Sequence, residues 1–129
     1  MKSVWLEAGR LDQEAAWTLR TGVAMPDHVH LLVEVSSLPG LAGVVRLFKG
    51  RLAPTLRKAG LKWQPAYFDH RRRPDEDRLP VFLYIYLNPY RAKLHSEKQT
   101  WPGYFCSQGD WRWFGPLTSQ SCPIPEWLA

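Results

Sequence analysis

The sequence predicts a small mixed domain, α+β or α/β, in which helices pack on a small sheet. Three observations lead to this fold class. The chain has 129 residues, which is enough for one domain with its own core. Apolar residues recur at helical spacing in residues 4–19 and 41–52, and Pro80 followed by residues 81–87 indicates a further helix. The run from His28 to Val35 is instead short, apolar and rich in β-branched residues, which is typical of a strand.

Turn and helix-breaking residues set the expected ends of the first elements. Residues 21–25 read as a short strand, followed by a break or turn at Pro26 and Asp27. Pro54 is expected to kink or restart the second helix, and Gly60 to end it. Residues 63–73 are expected to contain another short strand.

The last helix and the tail follow from proline positions and composition. Pro80 fits the first position of a helix. The ring of Pro89 disfavours α geometry at Asn88, so this helix should end there. Residues 96–129 are predicted to be an irregular, aromatic-rich tail of a single domain that spans residues 1–129.

Composition excludes several classes of protein. The sequence contains no apolar window of 18 residues, so we expect no membrane span, and the acidic residues near its start do not fit a signal peptide. Its two cysteines, Cys106 and Cys122, are too few for a disulfide framework and are expected to be reduced. We therefore expect a cytoplasmic protein.

The net charge of +5 is concentrated in the middle of the chain. Residues 41–95 hold twelve basic and four acidic side chains, whereas the flanking parts are weakly acidic. A concentration of positive charge in one part of a domain marks a surface for a polyanion such as nucleic acid. A solvated basic face with no partner is the alternative at this point.

Two residue pairs can carry chemistry. His28 and His30 alternate along a strand, so their imidazoles face the same side and can bind one divalent cation. Tyr84 and Asn88 lie one helical turn apart, so a phenol and an amide can face one target. Each pair by itself also fits ordinary packing, with the histidines as polar surface or satisfied core residues and the tyrosine as a packing residue.

Three ordered motifs resemble one family. The stretches MPDHVHLLVEV, YFDHRRRPDED and YIYLNPYRAKL, within residues 20–95, are similar to the single-tyrosine His-hydrophobic-His transposases, and especially to their REP-associated branch. This resemblance implies a ferredoxin-like α+β domain with a small antiparallel sheet and helices on one face. It also implies an enzyme that nicks and rejoins single-stranded DNA through a covalent 5′-phosphotyrosine, using Mg²⁺ or Mn²⁺.

The resemblance assigns roles to individual residues. Tyr84 takes the position of the nucleophile, and His28, His30 and Asn88 take the positions of the metal ligands. The implied partner is single-stranded or hairpin DNA at the nucleoid, bound by a monomer or a homodimer. A catalytically inactive DNA-binding relic or regulator is the alternative function.

Basic and aromatic residues are the expected DNA contacts. Phosphates attract cations, and unpaired bases stack on aromatic rings. The expected contacts are Lys49, Arg51, Trp63, Arg71, Arg72, Arg73 and Arg91.

The chain departs from the family at its start. Family members begin with a strand that lies beside the histidine strand, whereas this sequence begins almost directly in a helix. We therefore expect the first strand of the sheet to have no counterpart here. A late start codon, a decayed gene and a genuine short form remain alternatives.

Overall fold

The structure is a computed structural model that describes residues 2–35, 40–63, 77–92 and 101–118. These residues form, in chain order, helix α1 (Lys2–Gln13), strands β1 (Trp17–Ala24) and β2 (Val29–Val35), helices α2 (Gly40–Lys58) and α3 (Leu79–Arg91), strand β3 (Tyr104–Cys106) and helix α4 (Gln108–Thr118). The three strands form an open antiparallel sheet in the order β2-β1-β3. The predicted α+β class with a small antiparallel sheet is confirmed.

The chain divides into two compact units. The helix unit (Lys2–Thr18 and Val35–Asp77) contains α1 and α2, which pack against each other. The sheet unit (Leu19–Glu34 and Arg78–Ala129) contains most of the sheet, together with α3 and α4.

In the helix unit, α2 buries one side of its surface. Val44, Phe48 and Leu52, spaced four residues apart, are all buried. The ring centroid of Trp17 lies 5.4 Å from that of Phe48, and its indole N–H donates to the carbonyl oxygen of Ala8 at 2.9 Å. Burying this apolar stripe of α2 stabilises the helix unit.

In the sheet unit, α3 contributes to two apolar clusters. Phe82, Leu83 and Leu87 form one cluster with Phe114 of α4. The second cluster joins Ile85 of α3 to Val23, Met25 and Trp101. With buried side chains in both clusters, α3 is fixed in rotation as well as in position.

The first helix is shorter than the predicted 4–19, and the last of those residues belong to β1 instead. The helix ends because Ala15 adopts a left-handed conformation with a φ of 60°. The N–H of Ala16 donates to the carbonyl oxygen of Leu11 at 2.9 Å, and the N–H of Ala15 to that of Asp12 at 3.0 Å. These are the two hydrogen bonds of a Schellman motif, in which the left-handed residue is usually glycine.

Helix α2 ends as predicted, with Gly60 in the left-handed position of the same motif. Its φ is 76°. The N–H of Leu61 donates to the carbonyl oxygen of Leu56 at 2.8 Å, and the N–H of Gly60 to that of Arg57 at 3.0 Å. Glycine adopts this conformation without the steric cost of a Cβ atom.

α2 continues through Pro54 rather than restarting there, and α3 continues through Pro89 rather than ending at Asn88. A proline leaves the carbonyl four residues earlier without its helical donor. For Pro54 that carbonyl belongs to Gly50, which is exposed, so water can replace the donor. Pro89 lies in the last turn, where the carbonyl oxygen of Asn88 still accepts the N–H of Ala92 at 3.0 Å.

The prediction of an irregular tail over 96–129 is wrong between residues 104 and 118, which form β3 and α4. β3 is stabilised by pairing with β1, in which Thr21 lies opposite Cys106. Because β1 is distant in the sequence, the local pattern of residues does not indicate this pairing. α4 begins after Ser107, whose hydroxyl oxygen accepts the N–H of Asp110 at 3.2 Å. Ser107 and Asp110 have the spacing of a helix-capping pair, which is a sequence signal for a helix start that the expectation of an irregular tail leaves out. Residues 96–100 and 119–129 lie outside the described residues, as does the strand expected in 63–73 apart from Trp63.

The carboxylate of Asp110 joins α4 to β1. Asp110 is only 3% exposed, and its two oxygens accept hydrogen bonds from Nε and Nη2 of Arg20, each at 2.6 Å. The Ser107 hydroxyl and the Trp113 indole N–H also donate to it, at 2.5 and 3.0 Å. Burial by itself raises the pKa of Asp110, but these hydrogen bonds outweigh it and hold the pKa well below its usual range.

None of the helices in the described ranges is both long and apolar enough to cross a membrane.

The two Schellman motifs predict opposite effects of exchanging alanine and glycine. Ala15→Gly should raise the free energy of unfolding by about 0.5–1 kcal/mol, because glycine adopts a positive φ without strain. Gly60→Ala should lower it by a similar amount, since a Cβ there meets no neighbour and only the backbone conformation is penalised. Urea denaturation of both variants measures the two unfolding free energies. Changes of the same sign would contradict the assignment of a left-handed Schellman position to both residues.

The second prediction concerns acid stability. Because the folded-state pKa of Asp110 lies below its unfolded value, its contribution is complete above that unfolded value, about pH 4, and is lost as the pH falls below it. Asp110→Asn should lower the unfolding free energy at pH 7 by about 2–3 kcal/mol, because it removes the buried carboxylate that pairs with Arg20 and leaves only the exposed Glu34 as its charged partner. The difference between wild type and variant should shrink as the pH falls below about 4. A difference that stays constant down to pH 2 would show that the Asp110 charge contributes nothing.

Candidate functional site

The turn between β1 and β2 brings His28 and His30 together. It is closed by a hydrogen bond at 2.8 Å from the N–H of Met25 to the carbonyl oxygen of His28. His30 follows in β2, and the two ring centroids lie 4.7 Å apart with their planes nearly perpendicular, at 88°. The two imidazoles therefore lie side by side, as the alternation predicts, although β2 begins at Val29 and His28 lies just before it rather than in the strand.

Asp27 orients the first of these rings. The Nδ1 atom of His28 lies 2.6 Å from a carboxylate oxygen of Asp27, and this hydrogen bond lowers the pKa of Asp27. A carboxylate on Nδ1 leaves Nε2 as the atom that can bind a metal. From the sequence, Asp27 is expected only in a turn, although a carboxylate directly before a candidate ligand histidine is the signal of this role.

His30 is half-buried, which favours its neutral form. Burial, and secondarily the neighbouring His28, lowers the pKa of His30. A neutral imidazole keeps a nitrogen lone pair for a metal ion. His28, by contrast, is exposed, with 46% of its side-chain surface accessible.

Helix α3 places Tyr84 against His30. The two ring centroids lie 5.5 Å apart with their planes at 86°. Tyr84 is partly buried and packs against both apolar clusters of the sheet unit. The structure thus brings together three of the predicted site residues, His28, His30 and Tyr84.

The other two tyrosines of α3 have different surroundings. Tyr86 packs against Tyr104 and Phe114, with ring centroids 5.2 and 5.8 Å away. The hydroxyl oxygen of Tyr90 accepts the backbone N–H of Trp101 at 3.3 Å. These contacts identify Tyr86 and Tyr90 as packing residues, whereas the ring of Tyr84 contacts His30 of the sheet.

Asn88 follows Tyr84 by one turn of α3 and is partly buried. Because α3 stays helical through Pro89, the two residues keep regular helical spacing, with a rise of about 6 Å between them. Both positions therefore lie on the same side of α3.

The candidate ligand side chains, two imidazoles and an amide, fit a transition-metal ion better than Mg²⁺. No three histidine, cysteine, aspartate or glutamate side chains converge in the described ranges, so a third protein ligand there has to be of another type, such as the Asn88 amide. Mg²⁺ prefers all-oxygen ligands, whereas imidazole nitrogen suits transition-metal ions such as Zn, Cu, Fe and Ni. Two imidazoles and one amide therefore fit a transition-metal ion better than Mg²⁺.

The predicted DNA-contact residues are spread over both units. In the helix unit, the Trp63 indole N–H donates to the carbonyl oxygen of Lys49 at 2.9 Å, and the Lys49 ammonium lies 5.9 Å from the Trp63 ring centroid. Arg51 forms two hydrogen bonds with the carboxylate of Glu14, at 2.5 and 2.9 Å. In the sheet unit, Arg91 is exposed at the end of α3. The remaining three, Arg71, Arg72 and Arg73, lie outside the described residues.

Comparison with protein-family models, with curated protein sequences and with solved structures finds no match to this chain.

The packing of Tyr84 predicts different effects for two substitutions. Tyr84→Phe keeps the ring that contacts His30 and the apolar clusters, so the unfolding free energy should change by less than about 1 kcal/mol. Tyr84→Ala removes the ring and should cost about 2–4 kcal/mol. Chemical denaturation of the two variants makes the comparison. If Tyr84→Phe is as unstable as Tyr84→Ala, the hydroxyl is a structural group rather than one available for chemistry.

Proposed function

We propose that this protein nicks and rejoins single-stranded DNA through a covalent bond between Tyr84 and a 5′-phosphate. The observation that carries this proposal is the contact between the Tyr84 and His30 rings, with His28 beside His30. A phenol next to two imidazoles on one strand is an arrangement suited to phosphoryl transfer onto tyrosine. The motif resemblance described above supports the same chemistry.

In the proposed reaction, the Tyr84 hydroxyl oxygen attacks the phosphorus of a DNA phosphodiester. A bond forms between that oxygen and phosphorus, and the bond from phosphorus to the 3′ oxygen breaks. The tyrosine proton is released and the departing 3′ oxygen is protonated, so the products are a 3′-hydroxyl and a 5′-phosphotyrosine. Attack of a 3′-hydroxyl on this linkage reverses the step, and rejoining therefore needs no nucleotide cofactor.

The side chains have separate roles in this proposal. His28, His30 and Asn88 would hold a divalent ion, Mn²⁺ or Mg²⁺, which when bound supplies positive charge to the scissile phosphate. Asp27 orients His28 through its hydrogen bond to Nδ1. α3 holds Tyr84 in place because the buried neighbours of this tyrosine leave the helix little freedom to rotate.

The proposed partner is single-stranded or hairpin DNA, bound by a monomer or a homodimer. The excess of positive charge in residues 41–95 supports a nucleic-acid partner. A genomic DNA substrate would place the protein in the cytoplasm, at the nucleoid.

A covalent-adduct assay tests the proposal. Incubation with Mn²⁺ and a hairpin-flanked single-stranded oligonucleotide should give a protein–DNA adduct that survives denaturing electrophoresis. Tyr84→Phe should abolish the adduct, because phenylalanine has no oxygen to attack phosphorus. His30→Ala should reduce it at least 100-fold, through loss of one metal ligand.

Tyr86→Phe is the matched control, because it removes a hydroxyl from the same helix at a packing position. It should form the adduct at the wild-type rate. An adduct that persists in Tyr84→Phe overturns the assignment of the nucleophile. If wild type binds the oligonucleotide but forms no adduct with any divalent metal, the inactive DNA-binding alternative replaces this proposal.

A further inference from the structure

The outer side of α2 carries two arginines in line. Val44, Phe48 and Leu52 mark the buried side of this helix. At about 100° per residue, Arg46 and Arg57 both lie opposite Phe48, within about 20° of each other around the helix axis. They are about 16 Å apart along the axis, and both are exposed.

Neither arginine is neutralised by a residue that the structure describes. Arg46 and Arg57 form no ion pair, side-chain hydrogen bond or ring contact within the described ranges. Arg51 on the same helix differs, because both of its terminal nitrogens are occupied by the Glu14 carboxylate. The positive charge on the outer side of α2 therefore belongs to Arg46 and Arg57 rather than to Arg51.

The surface between the two arginines is open. Gly50 lies between them on the same side of α2, and a Cβ atom added there meets no heavy atom within 4 Å. An extended polyanion can thus approach both guanidinium groups without a bulky side chain in its path.

Trp63 packs against a different side of α2. Its indole donates to the carbonyl oxygen of Lys49, and its ring centroid lies 6.1 Å from that of Phe48, on the buried side of the helix. The surface around Arg46 and Arg57 therefore offers cations rather than a stacking ring. Cations that follow the phosphate backbone are the sequence-independent component of single-strand binding.

The buried side of α2 argues against a membrane as the partner. A basic helix binds a lipid surface by inserting its apolar side. In α2 that side is already packed inside the helix unit, with Val44 fully buried and Leu52 only 2% exposed. A polyanion that needs charge contacts alone fits this surface better.

We infer that Arg46 and Arg57 on the outer side of α2 bind the phosphate backbone of single-stranded DNA. The identity of this ligand rests on the proposed function. The surface lies in the helix unit, whereas the proposed nucleophile Tyr84 lies in the sheet unit, so binding and cleavage can be measured separately.

The test measures the affinity of the full chain for a fluorescent oligothymidine across a series of salt concentrations. The double variant Arg46→Gln and Arg57→Gln should weaken binding at low salt. It should also reduce the slope of log affinity against log salt by about 1.4, because each lost phosphate contact on a single strand contributes about 0.7. The matched control, Arg51→Gln, should leave the slope unchanged, since its charge is already paired with Glu14.

Each outcome separates this surface from the proposed function. An unchanged slope in the double variant overturns the surface, as does a slope reduced equally by Arg51→Gln. Binding of wild type to anionic phospholipid vesicles that is lost in the double variant, without a change in oligothymidine binding, also overturns it. If wild type forms no adduct but the double variant shows the reduced slope, the nicking proposal fails and the surface stands.

Discussion

The buried carboxylate of Asp110 is the interaction on which the arrangement of the sheet unit depends. It accepts two hydrogen bonds from Arg20 in β1, and Arg78, directly before α3, has its guanidinium 3.8 Å away. An ionised carboxylate is stable inside a protein only when donors replace the water it has lost, and Ser107 and Trp113 supply the others. The charge of Asp110 thus holds β1, the start of α3 and α4 in contact with one another. Because Arg20 also donates to Glu34, the network extends to β2, the strand that carries His30.

This anchoring has a consequence for the candidate site, where the histidines and the tyrosine come from different elements. The contact between the histidines and the tyrosine depends on the rotation of α3 about its axis as well as on its position. A rotation of 100° would bring the next residue of the helix to the place of Tyr84. Phe82 and Ile85 are buried in separate apolar clusters, so rotation would expose one of them. Exposing a phenylalanine costs about 2–3 kcal/mol. The contact between Tyr84 and His30 is therefore maintained by residues that take no part in it.

The features that the sequence predicted are those encoded over a few residues. Alternation along the predicted strand 28–35 predicts that His28 and His30 share a side, and Gly60 predicts the end of α2, because both depend only on local geometry. The features it did not predict depend on distant partners or on tertiary packing that overrides local preference. β3 has no periodic pattern because it consists of three residues paired with β1. Ala15 adopts a left-handed conformation that its own side chain disfavours. An alanine at this position therefore does not predict that α1 ends there.

The basic residues show why a count of charges along the chain predicts a surface only coarsely. Arg51 contributes to the positive excess of residues 41–95, yet Glu14 from the weakly acidic beginning of the chain neutralises it. Such pairing is decided by which helix side meets a neighbouring helix, and α1 packs against α2. Arg46 and Arg57 escape pairing with α1 because they lie opposite the buried stripe of α2, where no described helix of the same unit reaches them. The residues most available to a charged partner are therefore those that lie opposite the apolar side of the helix. Helical periodicity predicts which residues these are, whereas the net charge of the segment does not.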